Sequence, residues 1–294
     1  MNKMVMDLSL GFRGKDTTKS IMIDVLIALA PATIFGVVMF GAYSALVVFV
    51  SVACCFGLEY LWRLIFGLEN SVTDFSAVVT GLLIALVMPP RVPLWMVVIA
   101  CFVAIIIVKQ AFGGLGKNML NPAVFAKCLL LTAFPKQMAS YIEPFGDAVL
   151  IGGESSFGIK ELVFGTHYGS IGETSALLLL CGALYLLLRG VINPIIPLSF
   201  IGVKALLGFA FGGKDGFSSV FFGGLIIAAC FMATDYTTTP KTKRGKLIFG
   251  AMCGIISFAV GKLFKAEGIY IAILIMNLLV PLIDKYIRRK PFEI

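Results

Sequence analysis

The sequence predicts an all-α, polytopic membrane protein with about ten transmembrane helices. The chain of 294 residues is 59% hydrophobic and 14% charged, and its mean hydropathy is +1.00. Polar side chains are therefore too few to cover a soluble domain of this size. Apolar runs of about 15 to 24 residues recur along the chain, lengths that suit membrane-embedded helices. Lys and Arg residues are concentrated in alternate connections between these runs, as in oriented membrane proteins.

Ten apolar segments are predicted to span or nearly span the bilayer. In chain order they cover residues 21–41, 43–66, 74–88, 94–112, 115–135, 174–189, 191–212, 217–234, 245–264 and 267–287. The third segment, 74–88, would extend only about 22 Å as a helix. This is less than the roughly 30 Å of a hydrocarbon core, and Pro89-Pro90 prevents the helix from continuing.

Two other segments are interrupted by glycine or proline. The eighth contains Gly223-Gly224, and in the fifth a Gly-rich stretch, 113–118, precedes Asn121-Pro122. Asn as the cap and Pro in the first turn predict a helix start at that point. Irregular backbone is tolerated at membrane depth only where it lines a cavity or a ligand, so these breaks indicate a binding site.

The distribution of charge predicts the orientation and the division of the chain. An even number of spans places both termini on one side. With that side inside, sixteen of the 24 Lys and Arg residues are cytoplasmic, six lie on the outer side and two lie within segments. We therefore expect both termini in the cytoplasm, with no cleaved signal peptide. The predicted parts are an N-terminal segment 1–20, a first membrane repeat 21–135, an extracytoplasmic loop 136–173, a second membrane repeat 174–287 and a cytoplasmic tail 288–294.

A short internal match indicates that the two membrane repeats are related. Residues 81–85 and 224–228 share four of five residues, and the same offset superimposes the order of the surrounding segments. Repeats of five segments each must be inverted, because an odd number of spans reverses the second. Inverted repeats place their binding site where short or broken helices of the two halves meet.

Several classes of site are disfavoured. All seven cysteines lie in apolar segments without a CxxC pair, so no metal or Fe–S site is expected. No nucleic-acid motif accompanies the net charge of +8. No GxGxxG sequence follows a strand, so nicotinamide is not expected to bind here.

Thr174 stands where the long loop meets the sixth segment, in a polar turn, 169–175. On the residues alone it is a helix cap, since Thr and Ser are common before an apolar helix. A helix start also directs free N–H groups and a positive dipole end toward an anion.

The chain from about residue 15 to 283 resembles the D subunit of Rnf electron-transport complexes and the related B subunit of sodium-pumping NADH:quinone reductases. The resemblance is carried by the stretches 15–29, 73–83, 109–116 with Asn118, 121–123, 172–175 and 232–235. After Asp235 the chain reads Tyr-Thr-Thr-Thr-Pro where many relatives have Pro-Val. The B subunit is the less similar of the two, since its N-terminal extension is not seen.

The resemblance implies a fold like that of urea and ammonium channels, and a flavoprotein. It implies FMN joined through its phosphate to Thr174, with Gly172, Glu173 and Ser175 around the attachment site. It also implies a second flavin, riboflavin or another non-covalent one, between the repeats. The residues expected there are Lys109, Gly113, Gly114, Asn118, Asn121, Thr80, Gly81 and Asp235. A helix-packing loop is the alternative for the Gly-rich stretch.

Four further ionisable residues can be interpreted as structural or as functional. Asp24 and Glu59 are intramembrane acids and candidates for an ion pathway, but Glu59 is also placed to pair with Arg63 four residues on, and Asp24 to pair with a nearby lysine. Lys127 would stabilise an anionic flavin or bind a backbone carbonyl. His167 is expected to be a solvated loop residue.

The function implied is that of a flavin-carrying membrane subunit of an ion-translocating ferredoxin:NAD oxidoreductase. Its partners would be the lipid bilayer and the other subunits of the complex, which bind ferredoxin and NAD. Its location would be the cytoplasmic membrane of a bacterium or archaeon. The alternative is a secondary transporter or channel for a small solute without a redox role, which inverted repeats and broken helices alone would favour.

Overall fold

The computed structural model describes residues 17–68, 72–142, 145–146, 149–151, 159–218, 224–264 and 268–287. Most of these residues are helical. The helices are α1 (Thr18–Phe40), α2 (Ala42–Ile65), α3 (Ser76–Leu86), α4 (Leu94–Phe102), α5 (Pro122–Ala133), α6 (Pro135–Met138), α7 (Ile159–Phe164), α8 (Ala176–Arg189), α9 (Ile195–Ser218), α10 (Leu225–Ile227), α11 (Lys243–Phe264) and α12 (Gly268–Tyr286). A 3₁₀ turn (Val72–Asp74) precedes α3, and two π-helical segments, Val103–Gln110 and Ala228–Met232, continue α4 and α10.

Five helices are long and apolar enough to cross a membrane: α1, α2, α9 up to Gly213, α11 up to Leu263 and α12. Four shorter apolar helices accompany them, Ser76–Leu86, Leu94–Gln110, Pro122–Ala133 and Ala176–Arg189. The predicted class, a multi-pass helical membrane protein, is confirmed. The predicted shortness of the third segment is also confirmed, since α3 has 11 residues and ends before Pro89.

The long loop between the predicted repeats contains a β-hairpin. Strands β1 (Ser140–Ile142) and β2 (Val149–Ile151) pair antiparallel, with Tyr141 opposite Leu150. This hairpin lies between α6 and α7, and it modifies the all-α expectation. The predicted N-terminal segment up to residue 16, Gly223 and the tail 288–294 lie outside the described residues.

Two of the short helices, α3 and α10 with its π-helical continuation, are packed in the interior of the fold. Nine of the eleven residues of α3 are buried, as is every residue from Leu225 to Met232. The long helices instead expose large apolar side chains, such as Ile34 on α1 and Phe49 on α2, which are 65% and 69% exposed. An apolar exterior around a packed interior is the arrangement expected of helices surrounded by lipid.

Candidate functional site

A pocket of about 850 Å³, including its open mouth, lies beside the first half of α3. The other lining residues come from α1, the π-helical segments after α4 and α10, the loop before α5 and its first turn, the end of α8, and the segments after Arg189 and Met232. Five of the residues predicted for a second flavin line it: Thr80, Lys109, Asn118, Asn121 and Asp235. They come from four separate parts of the chain, so the pocket forms only in the folded protein.

Asn121 fixes one wall of this pocket. Its side-chain Oδ1 accepts hydrogen bonds from the backbone N–H groups of Ala123 and Val124, at 3.0 and 3.3 Å. This confirms the helix start predicted from Asn-Pro. Its Nδ2 donates to the carbonyl of Met232 at 3.1 Å, where the π-helical segment after α10 ends. Asn121 therefore couples the beginning of α5 to the end of the other broken helix.

Asn118 offers an acceptor to a ligand. The side chain is 5% exposed, and its Nδ2 donates to the carbonyl of Leu120 at 3.1 Å. Its Oδ1 is buried and has no hydrogen-bond partner among the described residues. Because buried polar atoms are nearly always hydrogen-bonded, this oxygen is suited to accept a hydrogen bond from a bound molecule.

Lys109 is the centre of a buried polar network at the pocket wall. Its Nζ lies 2.6 Å from Glu59 Oε2 and donates to Ser76 Oγ at 2.7 Å. Ser76 in turn donates to Asp74 Oδ1 at 2.6 Å. The predicted pairing of Glu59 with Arg63 is present at 3.6 Å, but the shorter contact is to Lys109, which the sequence did not reveal.

Asp235 and Tyr236 bring further polar groups to the pocket. Burial raises the pKa of the Asp235 carboxyl group, while hydrogen bonds from Thr237 and the charge of Lys109 act in the opposite direction. Burial also raises the pKa of the Tyr236 hydroxyl, and the neighbouring Asp235 adds to this effect. The Asp235 carboxyl group and the Tyr236 hydroxyl group thus lie beside the cavity, where each can form hydrogen bonds.

Three predicted glycines lie away from the pocket walls. Gly81 packs against α2, and a Cβ placed there would lie 2.8 Å from Val52 Cα. Gly113 and Gly114 are in turns with positive φ, beside the side chains of Lys117 and Arg63 respectively. For these positions the structure shows packing and turn formation, the alternative raised for the Gly-rich stretch.

In the polar turn before α8, the residue that caps the helix lies one position after the predicted one. The capping residue is Ser175, whose Oγ accepts from the N–H of Leu178 at 3.4 Å. Thr174 precedes it and is 1% exposed, so its prediction as the cap was wrong. Ser170, in the same turn, is fully buried, and its hydroxyl has no partner among the described residues.

This turn is bonded to the end of α3. The N–H of Ile171 donates to the carbonyl of Met88 at 3.0 Å, and that of Gly172 to the carbonyl of Leu86 at 2.7 Å. Gly172 is packed closely, since a Cβ would lie 2.6 Å from Leu86 Cβ. Helix-end carbonyls need partners, and here the turn supplies two of them.

Glu173 and Lys127 lie at the same end of α3. The buried carboxylate of Glu173 accepts a hydrogen bond from the Tyr270 hydroxyl. The fully buried Lys127 donates to the carbonyl of Val87 at 2.6 Å, which is the backbone contact predicted as one alternative. Its Nζ also lies 5.4 Å from the centre of the Tyr270 ring.

Two other expectations are corrected by the packing. Asp24 accepts from the Tyr185 hydroxyl at 2.8 Å and pairs with Arg189 at 3.0 Å, so its partner is on α8 and is not a lysine. His167 is 2% exposed, not solvated, because the segment around it folds against α7. Burial lowers the pKa of its imidazole. The ion-pathway roles of Asp24 and Glu59 stay predictions.

Comparison with known proteins identifies the family. The sequence profile of the NQR2, RnfD, RnfE family matches residues 8–293. The D subunit of the Na⁺-translocating ferredoxin:NAD⁺ oxidoreductase complex of Acetobacterium woodii is 38% identical, over 96% of this chain and 93% of that protein. The D subunit of the proton-translocating complex of Clostridium ljungdahlii is 36% identical, over 93% and 91%.

A relative from the other branch is also similar. The B subunit of the Na⁺-translocating NADH-quinone reductase of Ectopseudomonas mendocina is 32% identical over 77% of this chain and 63% of that protein. The greater coverage of the two D subunits agrees with the motifs in the sequence. The chain belongs to the NQR2, RnfD, RnfE family.

Proposed function

We propose that this protein is the D-type membrane subunit of an ion-translocating ferredoxin:NAD oxidoreductase and relays electrons through bound flavin. The observation that carries the proposal is the family match over nearly the whole chain, combined with a polar-lined pocket between the broken helices. Ferredoxin and NAD would bind to other subunits, and the coupling ion would be Na⁺ or H⁺, the ions named for the two D-type relatives.

The proposed architecture has ten membrane segments in two inverted repeats, with both termini in the cytoplasm of a bacterium or archaeon. It is supported by the directions of the two short central helices. The end of α3 and the residue before α10 both meet the 169–175 turn, at Gly172 and Glu173. The start of α3 and the segment after Met232 both line the pocket. The two helices therefore run in opposite directions between the same two places, as inversion requires.

The pocket beside α3 is proposed to hold a non-covalent flavin such as riboflavin. The residues fit, because Asn118 Oδ1 is an available acceptor and the rest of the wall is largely apolar, as an isoalloxazine ring needs. A flavin supplies one- and two-electron redox chemistry. The Asn118 Oδ1 and the Thr80 hydroxyl oxygen would accept hydrogen bonds from it, and Lys109 supplies a positive charge beside the cavity that Glu59 partly balances.

Substitution of Asn118 by Leu should reduce the non-covalent flavin content of the purified protein at least fivefold, since the loss of one hydrogen bond and an apolar group against a polar ring edge disfavour binding by about 1–3 kcal/mol. Acid-released flavin is quantified by chromatography. Asn193→Leu is the matched control, because Asn193 caps α9 at Ile195 and does not itself line the pocket. Equal flavin content in both variants would contradict the proposed site.

The second proposal is FMN attached to Thr174 through its phosphate. It is supported by the position of Thr174 next to the capping residue of α8, where helix-end N–H groups favour an anion, and by the buried hydroxyl of Ser170 in the same turn, which could donate to a phosphate oxygen. Gly172, Glu173 and Ser175 form the adjoining backbone. Because Thr174 is 1% exposed, attachment would have to precede closure of the turn, or displace it.

Denatured wild-type protein, produced with its flavin-attaching enzyme, should fluoresce in a gel under ultraviolet light, and Thr174→Ala should abolish the band. Ser175→Ala is the matched control, since it removes the adjacent hydroxyl and the helix cap but retains Thr174. A wild-type band without fluorescence would contradict the proposal of a covalent flavin. If the pocket also proved empty, the transporter without a redox role would be the better function.

A further inference from the structure

Three buried side chains meet at the end of α3 that lies against the 169–175 turn. Lys127 and Tyr270 are fully buried, and Glu173 is 6% exposed. Lys127 Nζ lies above the Tyr270 ring, whose hydroxyl donates to Glu173. Glu173 also lies against Gly224, the residue before α10. We refer to Lys127, Tyr270 and Glu173 as the polar bridge, because they connect one end of each short central helix.

The position of the Lys127 ammonium is one that a free cation would occupy. The last carbonyls of a helix carry partial negative charge, and in broken-helix transport proteins such carbonyls coordinate ions. At this end of α3, the carbonyls of Leu86 and Met88 accept backbone N–H groups, while Val87 accepts the lysine ammonium at 2.6 Å. The chain thus provides its own covalently tethered monovalent cation.

The opposite end of α3 is open. The pocket is lined along α3 from Ser76 to Leu83, and three helical steps from Leu83 to Leu86 place the polar bridge about 5 Å beyond this wall. Around the bridge the packing is close: Gly172 touches Leu86, with no space for a Cβ. The two central helices are therefore open to the pocket on one side and closely packed at the bridge on the other.

We propose that Lys127 closes the axis between the two central helices to free cations. Its ammonium is bound by the Val87 carbonyl at the end of α3, and the Tyr270 ring and hydroxyl connect it to the Glu173 carboxylate, which balances its charge. An ion would have to displace the ammonium from Val87 to pass. The inference concerns this barrier alone and holds whether or not flavin occupies either proposed site.

The test uses the whole complex in sealed proteoliposomes without electron donor, and measures passive ²²Na⁺ uptake. Proteoliposomes with the wild-type complex or with Lys127→Arg should show equally low ²²Na⁺ uptake. Lys127→Ala and Lys127→Met should each raise uptake at least tenfold, because both remove the tethered charge. Methylammonium added to Lys127→Ala should restore low uptake by replacing the missing ammonium. Lys204→Ala, which removes a lysine from α9, is the control, and its ²²Na⁺ uptake should stay as low as that of the wild type.

Uptake at the wild-type level in Lys127→Ala would overturn the proposal, provided that the complex elutes as one assembled species. So would a leak in Lys127→Ala with none in Lys127→Met, since side-chain volume and not charge would then form the barrier. If the lysine variants fail to assemble, Tyr270→Phe decides. It keeps the ring but removes the hydrogen bond to Glu173, so a rise of about threefold is expected, and unchanged uptake would contradict the role of the bridge.

Discussion

Glu59→Ala is expected to destabilise the protein by about 3–5 kcal/mol, because it leaves the Lys109 charge buried without its carboxylate. Lys109 is 1% exposed and Glu59 is fully buried, so both charges are largely removed from solvent. The 2.6 Å contact joins α2 to the end of α4, and the expected decrease in Tm is on the order of 10 °C. A thiol-reactive dye can follow unfolding in detergent, since it reaches Cys55, Cys101 and Cys253 only after unfolding.

The control for this prediction replaces both members of the pair. Glu59→Met with Lys109→Met removes both charges and retains apolar volume, so it should recover most of the lost stability. Arg63, the other partner of Glu59, has 13% of its side chain exposed. If the double variant were less stable than Glu59→Ala, the loss of stability in Glu59→Ala would not come from an uncompensated lysine charge. The network through Ser76 and Asp74 would then be the stabilising element.

Gly224→Ala should be the more damaging member of a matched pair of glycine substitutions. Gly224 and Gly190 have almost the same backbone, with φ of 68° and 74° and ψ of 14° at both. Each Ala would therefore meet a similar left-handed strain of about 1 kcal/mol. A Cβ at Gly190 meets nothing within 4 Å, whereas one at Gly224 would overlap Glu173 and lie 2.5 Å from the Tyr270 hydroxyl.

The difference between the two variants measures the packing of the polar bridge. We expect Gly190→Ala to cost about 1 kcal/mol and Gly224→Ala a further 1–3 kcal/mol, because overpacking displaces buried polar partners. Thermal unfolding with the thiol-reactive dye measures both. Equal midpoints would show that Glu173 and Tyr270 move aside freely, which disagrees with a rigid bridge at this end of α3.

Several local features could be predicted from the sequence because a few neighbouring residues determine them. Asn121 and Pro122 begin a helix through a side-chain cap and a fixed φ. Pro89-Pro90 ends α3 in the same local manner. The membrane class follows from composition, and the family from motifs spread along the chain, which comparison with known proteins confirmed. The exact capping residue at Ser175 was missed, because Thr174 and Ser175 are both good caps and only packing distinguishes them.

What the tertiary structure alone decided is which distant polar groups become partners. Lys109 meets Glu59 across 50 positions, Asp24 meets Arg189 across 165, and Tyr270 meets Glu173 across 97. No local pattern encodes such pairs. The sequence by itself determined that buried charges in apolar helices must be compensated. Because a helix can face any of several neighbours, only the packing of the central helices fixes the partner, and with it the position of the pocket and the bridge.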